Sequence, residues 1–322
     1  MLACTLMVRF SASPTSLVRR AIRLVAIGVF CVGLAPSIPA GAAFPGTNGK
    51  LLFFVSGHRS EPGDMFSINA DGTGRRRLTD PVAYESHGQW SADGRHIVLQ
   101  RRAGIPTATF QRAIWTIRAD GSEARRVGRK KRGEPSISPD GTRIVFVKGL
   151  FTDVDLYVMD MNGTIVRRLT SKEGVEAAPA WSPDGSTIAF LSEDPGSGVM
   201  EIWTLPAAGG EPAMLTSSGV GKRTIDWSPD GAHLAYTTDE SPARIGVVDA
   251  DGAEDHIILG DASDNVGPAW SPDGTRISFG RFTPAAGNWD IWTMAPDGTD
   301  LVQLTFRSRN ETDPDWQPVP EP

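Results

Sequence analysis

The string PAWSPDG occurs twice in this chain, at residues 179–185 and 268–274, and degenerate copies of it recur at a nearly fixed interval. Aligned on the glycine, they are WSADG (Gly94), ISPDG (Gly141), WSPDG (Gly185), WSPDG (Gly231) and WSPDG (Gly274), with Gly49 of PGTNG in register ahead of them. The steps lie between 43 and 47 residues. A period of this size marks a repeat architecture, in which one small unit cannot bury its own apolar face and must stack on its neighbours.

Each of the six units carries the same further parts. After the glycine comes an alternating apolar run: KLLFFV, RHIVLQ, TRIVFV, STIAFL, AHLAYT and TRISFG. A second run follows, as in DMFSINADG, AIWTIRADG or DIWTMAPDG, and most units close on Leu-Thr, as at Leu78-Thr79, Leu169-Thr170, Leu215-Thr216 and Leu304-Thr305. Period-two alternation between turn signals predicts four short strands per unit. In SPDG the proline presets position i+1 of a type I turn, and the glycine takes the left-handed conformation after it. The tryptophan of each copy is expected to pack between neighbouring sheets.

The ends of the repeat decide how it closes. The first unit has FPGTN where a tryptophan strand belongs, and TDPDWQP near the C-terminus supplies a spare one, with Trp316 46 residues beyond Trp270. The fold expected is therefore all-β: a six-bladed β-propeller of four-stranded antiparallel blades over residues 44–318, closed by a C-terminal strand that completes the first blade and leaves no open sheet edge. Residues 319–322 read as a short tail.

Ahead of the repeat, Arg19, Arg20 and Arg23 precede the apolar run Leu24 to Leu34, and Ala40 and Ala42 fit a small-residue cleavage site. Residues 1–42 thus read as a secretory signal, its apolar run too short to span a bilayer. The location expected is periplasmic, cell-envelope or extracellular, with no integral membrane segment after cleavage. Cys4 and Cys31, the two cysteines, both fall in the removed part, so the mature chain has no thiol for a disulfide, a nucleophile or a metal. Cleavage also removes four arginines and no acid, taking the net charge from −6 to about −10, which argues against nucleic acid as a partner.

The pattern P-x-W-S-P-D-G, then I-A-F, then I-W-x-M-x-x-D-G, then L-T resembles the TolB-type, WD40-like β-propeller repeats, over about residues 44 to 318. The resemblance implies the propeller fold and a binding or scaffold role, because such repeats occur in binding proteins and as domains of hydrolases. TolB proteins carry an α/β domain ahead of the propeller, and prolyl-oligopeptidase relatives pair it with an α/β-hydrolase domain. In this sequence the signal runs straight into the first repeat, and no G-x-S-x-G elbow occurs.

No other catalytic pattern emerges. His58, His87, His96, His233 and His256 show no metal-ligand spacing, and no cofactor is expected. Attention passes to the rim opposite the uniform SPDG turns, where the connections are uneven in length and recognition is usually placed. Five positions before each tryptophan register stand Glu85, Arg132, Glu176, Lys222, Asn265 and Glu311. They are expected to be solvated at the mouth of the central channel, as a mixed-charge ring that selects a protein or polar ligand. One blade differs, with Ile137 in place of tryptophan and a basic run of Arg125, Arg126, Arg129, Lys130, Lys131 and Arg132, which reads as a solvated loop or a dock for an anionic polymer or lipid headgroup. The leading functional reading is an exported, monomeric, non-enzymatic binding propeller. The alternative is a hydrolase or lyase whose metal or acid–base residues converge in the channel.

Overall fold

The structure is a computed structural model, and it describes residues 41–42, 44–56, 63–80, 83–103, 112–129, 132–150, 153–171 and 174–320. Nearly all of the expected signal segment, the long connection around residues 104–111 and Lys130–Lys131 of the basic run lie outside the described residues.

Among the described residues there is no helix, only strands joined by turns and loops. A two-residue strand, β1 (Gly41–Ala42), comes first. The first blade then holds β2 (Thr47–Ser56), β3 (Asp64–Asn69) and β4 (Arg76–Arg77). The second holds β5 (Ala83–Trp90), β6 (His96–Ala103), β7 (Arg112–Arg118) and β8 (Arg125–Val127). The third holds β9 (Arg132–Ile137), β10 (Arg143–Leu150), β11 (Asp153–Asp160) and β12 (Ile165–Arg168). The fourth holds β13 (Gly174–Trp181), β14 (Thr187–Glu193), β15 (Met200–Pro206) and β16 (Ala213–Met214). The fifth holds β17 (Lys222–Trp227), β18 (His233–Thr238), β19 (Ile245–Asp249) and β20 (His256–Leu259). The sixth holds β21 (Asn265–Trp270), β22 (Ile277–Thr283), β23 (Asn288–Met294) and β24 (Val302–Gln303), and β25 (Asn310–Val319) ends the chain.

Pairing within each blade is antiparallel and sequential, and β25 takes the vacant inner place of the first blade, with Leu51 opposite Trp316 and Thr47 opposite Val319. The inner strands touch in turn, from β25 to β5, β9, β13, β17, β21 and back to β25. Two short parallel pairings add to this scheme: β11 joins β13 at Asp153–Gly174, and β1 runs beside the inner strand β17 at Gly41–Asp226.

The turn chemistry explains why the repeat is so regular. In the fourth blade the Ser182 hydroxyl donates to Asp184 at 2.5 Å, while Asp184 accepts the Ser186 N–H at 3.0 Å. Gly185, at φ 71°, closes the turn onto the Ser182 carbonyl at 2.9 Å. The Ser182 and Ser186 hydrogen bonds hold the Asp184 carboxyl below its usual range. The same Ser-x-Asp arrangement recurs at Ser91, Ser138, Ser228 and Ser271.

Apolar packing runs between blades as well as within them. Trp90 is buried with Leu52 and Met65 of the preceding blade, and Trp316 with Ala269 and Ile291 of the sixth. Full burial of such side chains stabilises by about 1.5–3 kcal/mol each.

Candidate functional site

The six residues chosen from the sequence all lie near the starts of the inner strands, in one register. Burial overturns the expectation that they are solvated: Glu85, Glu176, Lys222, Asn265 and Glu311 are at most 3% exposed. Arg132 is described in its backbone, opposite Lys148 at the start of β9. A buried charge must be paired and hydrogen-bonded to be tolerated, and the repeat supplies partners for each.

The threonine of Leu-Thr is central to that supply. Its hydroxyl oxygen accepts a backbone N–H of the third strand: Met65 to Thr79 at 3.0 Å, Leu156 to Thr170 at 2.9 Å, Ile202 to Thr216 at 3.0 Å and Ile291 to Thr305 at 2.9 Å. The hydroxyl hydrogen is then free for a carboxylate. Thr170 donates to Glu176 at 2.8 Å, six residues on. Thr79 and Thr305 take the corresponding places beside Glu85 and Glu311, where they favour the charged form of each carboxyl. Arginine completes the neutralisation, with Arg101 Nε donating to Glu85 at 2.7 Å and Arg75 paired to Glu311 at 2.6 Å. Burial still pushes both carboxyls above the usual range, against the hydrogen bonds and arginine charges that lower them.

Where the register carries lysine, the acid moves to another strand. Lys222 Nζ donates to Glu201 on β15 at 2.7 Å and to Ser218 at 2.8 Å, and lies 5.0 Å over the Tyr236 ring. Glu201 also accepts from Thr216 at 2.6 Å and from the Gly219 N–H at 2.9 Å. Asn265, in the blade preceded by Leu259-Gly260, accepts from Arg281 at 2.8 Å instead.

A second set of residues, closer to the tryptophan end of the same strands, escaped the sequence reading. An inner strand is paired through one edge only, so its other row of N–H groups needs acceptors. At three boundaries the side chain of the residue before the tryptophan supplies one to the next blade. Asp315 accepts the Trp90 N–H at 2.6 Å, Gln89 the Ile137 N–H at 2.9 Å and Asp226 the Trp270 N–H at 2.6 Å. Burial carries the Asp315 carboxyl up to about 8 and raises that of Asp226 well above its usual range, the latter helped by the charge of Asp315.

Two positions earlier the strands bulge, and His87, Glu134, Ala178, Gly267 and Asp313 all have φ between 48° and 62°. Four of the five are not glycine, a costly conformation kept only where the surroundings impose it. The Glu134 carboxylate accepts the Ala178 N–H of the next blade at 2.8 Å. Burial pushes His87 down to about 4 and Asp313 up to about 8. The recurrence of polar residues one and three places before the tryptophan was the signal available in the sequence. Among the described residues, no three His, Cys, Asp or Glu side chains are grouped to hold a metal ion, and no helix is long and apolar enough to cross a membrane.

A ring of four-stranded blades, linked through their inner strands and closed by the last one, defines a β-propeller. The family model of the TolB β-propeller domain matches residues 128–320, more than half of the chain, and the protein belongs to that family. An uncharacterised protein of Agrobacterium fabrum is 32% identical over 152 residues, covering 43% of this chain and 50% of the relative. The Tol-Pal system protein TolB of Anaeromyxobacter dehalogenans (strain 2CP-C) is 30% identical over 120 residues, covering 37% of this chain and 26% of the relative. The chain thus spans half or less of these relatives' lengths. The crystal structure of TolB from Acinetobacter baumannii superposes with a TM-score of 0.72 at 20% identity, over 84% of this chain and 67% of that one, which shows the fold.

Proposed function

We propose that the protein is an exported, non-enzymatic binding module that holds a protein partner at the rim where its inner strands begin. The observation that carries this reading is the match to the TolB propeller domain, whose curated relatives include proteins named for the Tol-Pal system. The signal-like segment at residues 1–42 supports export to the periplasm or cell envelope. Glu85, Arg132, Glu176, Lys222, Asn265 and Glu311 mark the rim in this reading. The buried pairs formed by five of them make these side chains positioning groups: they fix the strand starts and the uneven connections that a partner touches.

Site-specific photo-crosslinking in the native envelope tests this. Probes at Ser218 and Asp239, on that rim, are expected to capture one discrete partner, and probes at Ser186 and Thr275, in the opposite turns, are not. Equal capture from both rims, or none from the first, overturns the assignment. A second reading, acid–base chemistry in the channel, draws on Asp313 and Asp315, whose carboxyls at about 8 are protonated at neutral pH. Turnover of a substrate that is lost in Asp313→Asn would favour it over the binding role.

A further inference from the structure

The turn between the third and fourth strands of a blade recurs as regularly as the SPDG turn, and one copy departs from the rule. In the first, second, fifth and sixth blades an aspartate precedes its glycine: Asp71, Asp120, Asp251 and Asp297. Each accepts the backbone N–H two residues on, the bond by which an aspartate fixes such a turn. Where that second residue carries a hydroxyl, the aspartate takes it too, with Thr73, Ser122 and Thr299 each donating at 2.6 Å.

The third blade has Asn162 in that register, within Asp160–Met161–Asn162–Gly163–Thr164. Here the fixing role passes to Asp160, whose Oδ1 accepts the N–H groups of Asn162 and Thr164, both at 2.9 Å. The Asn162 amide and the Thr164 hydroxyl hold the places of a bonded pair in the sibling turns. In this turn, among the described residues, neither has a partner, and both residues are exposed. The turn is anchored from its other side. Arg125 Nη2 donates to the Met161 carbonyl at 2.9 Å, and a side chain begun at Gly163 would meet the Gly128 backbone at 2.2 Å.

Asn162–Gly163–Thr164 is also an Asn-x-Thr sequence, the acceptor pattern for an N-linked sugar. That chemistry uses an accessible asparagine amide and the hydroxyl two residues on, and those are the two groups that Asp160 releases. A second copy of the pattern serves as an internal control. Asn310–Glu311–Thr312 fits it equally, but Asn310 Oδ1 accepts the Trp289 N–H at 3.2 Å, and Thr312 is buried. Both belong to β25, the strand that closes the ring.

We propose that Asn162 is the acceptor of an N-linked glycan, donated by an oligosaccharide carried on a lipid pyrophosphate. The amide nitrogen displaces the pyrophosphate at the anomeric carbon of the sugar. A C–N bond forms, the C–O bond breaks, the amide gives up one proton to the transferase, and the lipid pyrophosphate leaves. The glycan stands on the rim of the SPDG turns, clear of the rim assigned to a partner. Modification here rests on the export proposed above, because this pattern is used in exported chains, and not on the rim assignment.

The test uses the full chain produced in its own cells, separated into a cytosolic and an exported fraction. Mass spectrometry of the tryptic peptide 149–167 from the exported fraction is expected to show sugar fragment ions and an Asn162 mass raised by the glycan. The peptide holding Asn310 is expected to be unmodified. Asn162→Gln should abolish the modified form, and Thr164→Ala should lower its share of the peptide at least tenfold, both with an unchanged melting temperature. Thr164→Ser, which keeps the hydroxyl, should hold that share within threefold of the parent. Unmodified Asn162 in the exported protein, its conversion to aspartate with no sugar, sugar on Asn310 in its place, or full occupancy in Thr164→Ala each overturns the acceptor site and leaves export standing. Protein confined to the cytosol overturns export, and the acceptor site with it.

Discussion

Replacing Lys222 by methionine removes one member of the most deeply buried ion pair among the described residues, Lys222–Glu201, both side chains being 1% exposed. The variant keeps the apolar stem and deletes the charge, so the loss is electrostatic rather than a cavity. Breaking a buried pair from one side costs about 3–5 kcal/mol, because the other charge stays buried without its counter-ion. Glu201 retains the Thr216 hydroxyl and the Gly219 N–H, which places the expected cost near the lower end, at about 3 kcal/mol. Urea unfolding of the purified protein, followed by circular dichroism, measures it directly. A second substitution, Glu201→Gln, should return at least about 1 kcal/mol, since a neutral amide no longer needs the ammonium group. A loss below about 1 kcal/mol for Lys222→Met, or strict additivity of the two changes, would refute the claim that paired burial holds this rim.

Two further perturbations address other parts of the structure. Asp313 and Asp315 sit at about 8 in the folded protein and near the ordinary value of about 3.9 when unfolded, so the folded state binds more protons between those limits. Stability is therefore expected to fall as pH rises from about 4 to about 8, by up to about 1.4 kcal/mol per pH unit for each group, and to level off above; Asp313→Asn should flatten the curve, and a rise in its place contradicts the assignment. Thr305→Val leaves the Ile291 N–H without its acceptor and removes the hydroxyl that favours the charged form of Glu311. The cost expected in thermal unfolding is about 1–3 kcal/mol, while a neutral result would show that the Leu-Thr hydroxyl plays no part in the rim.

The repeat was legible because its parts act locally: the serine and aspartate of each turn bond within five residues, and Trp316 announces the missing strand by its spacing alone. The burial of Glu85, Lys222 and Glu311 was not, since it depends on Arg101, Glu201 and Arg75, which come from other segments at distances in the chain that vary from blade to blade. The Thr170–Glu176 spacing of six residues was visible, but its meaning required knowing that the threonine hydroxyl is already bonded to the Leu156 N–H. Asp226 and Asp315 were hidden for a different reason. The need for their acceptors arises only once inner strands stand side by side with one edge unpaired, a property of the ring and of no single repeat.

Everything said of the two rims rests on closure of the ring by pairing of β2 with β25. Residues 43–322 hold no cysteine, and Thr47 and Val319 are exposed partners in that pairing, so a single engineered pair in that segment can report on it. In the double variant Thr47→Cys and Val319→Cys, mild oxidation of the dilute native protein should give one intramolecular disulfide, found by mass spectrometry of the peptides around both positions. Free thiols under those conditions, or disulfide-linked dimers in place of the monomer, would mean that the last strand does not complete the first blade of its own chain.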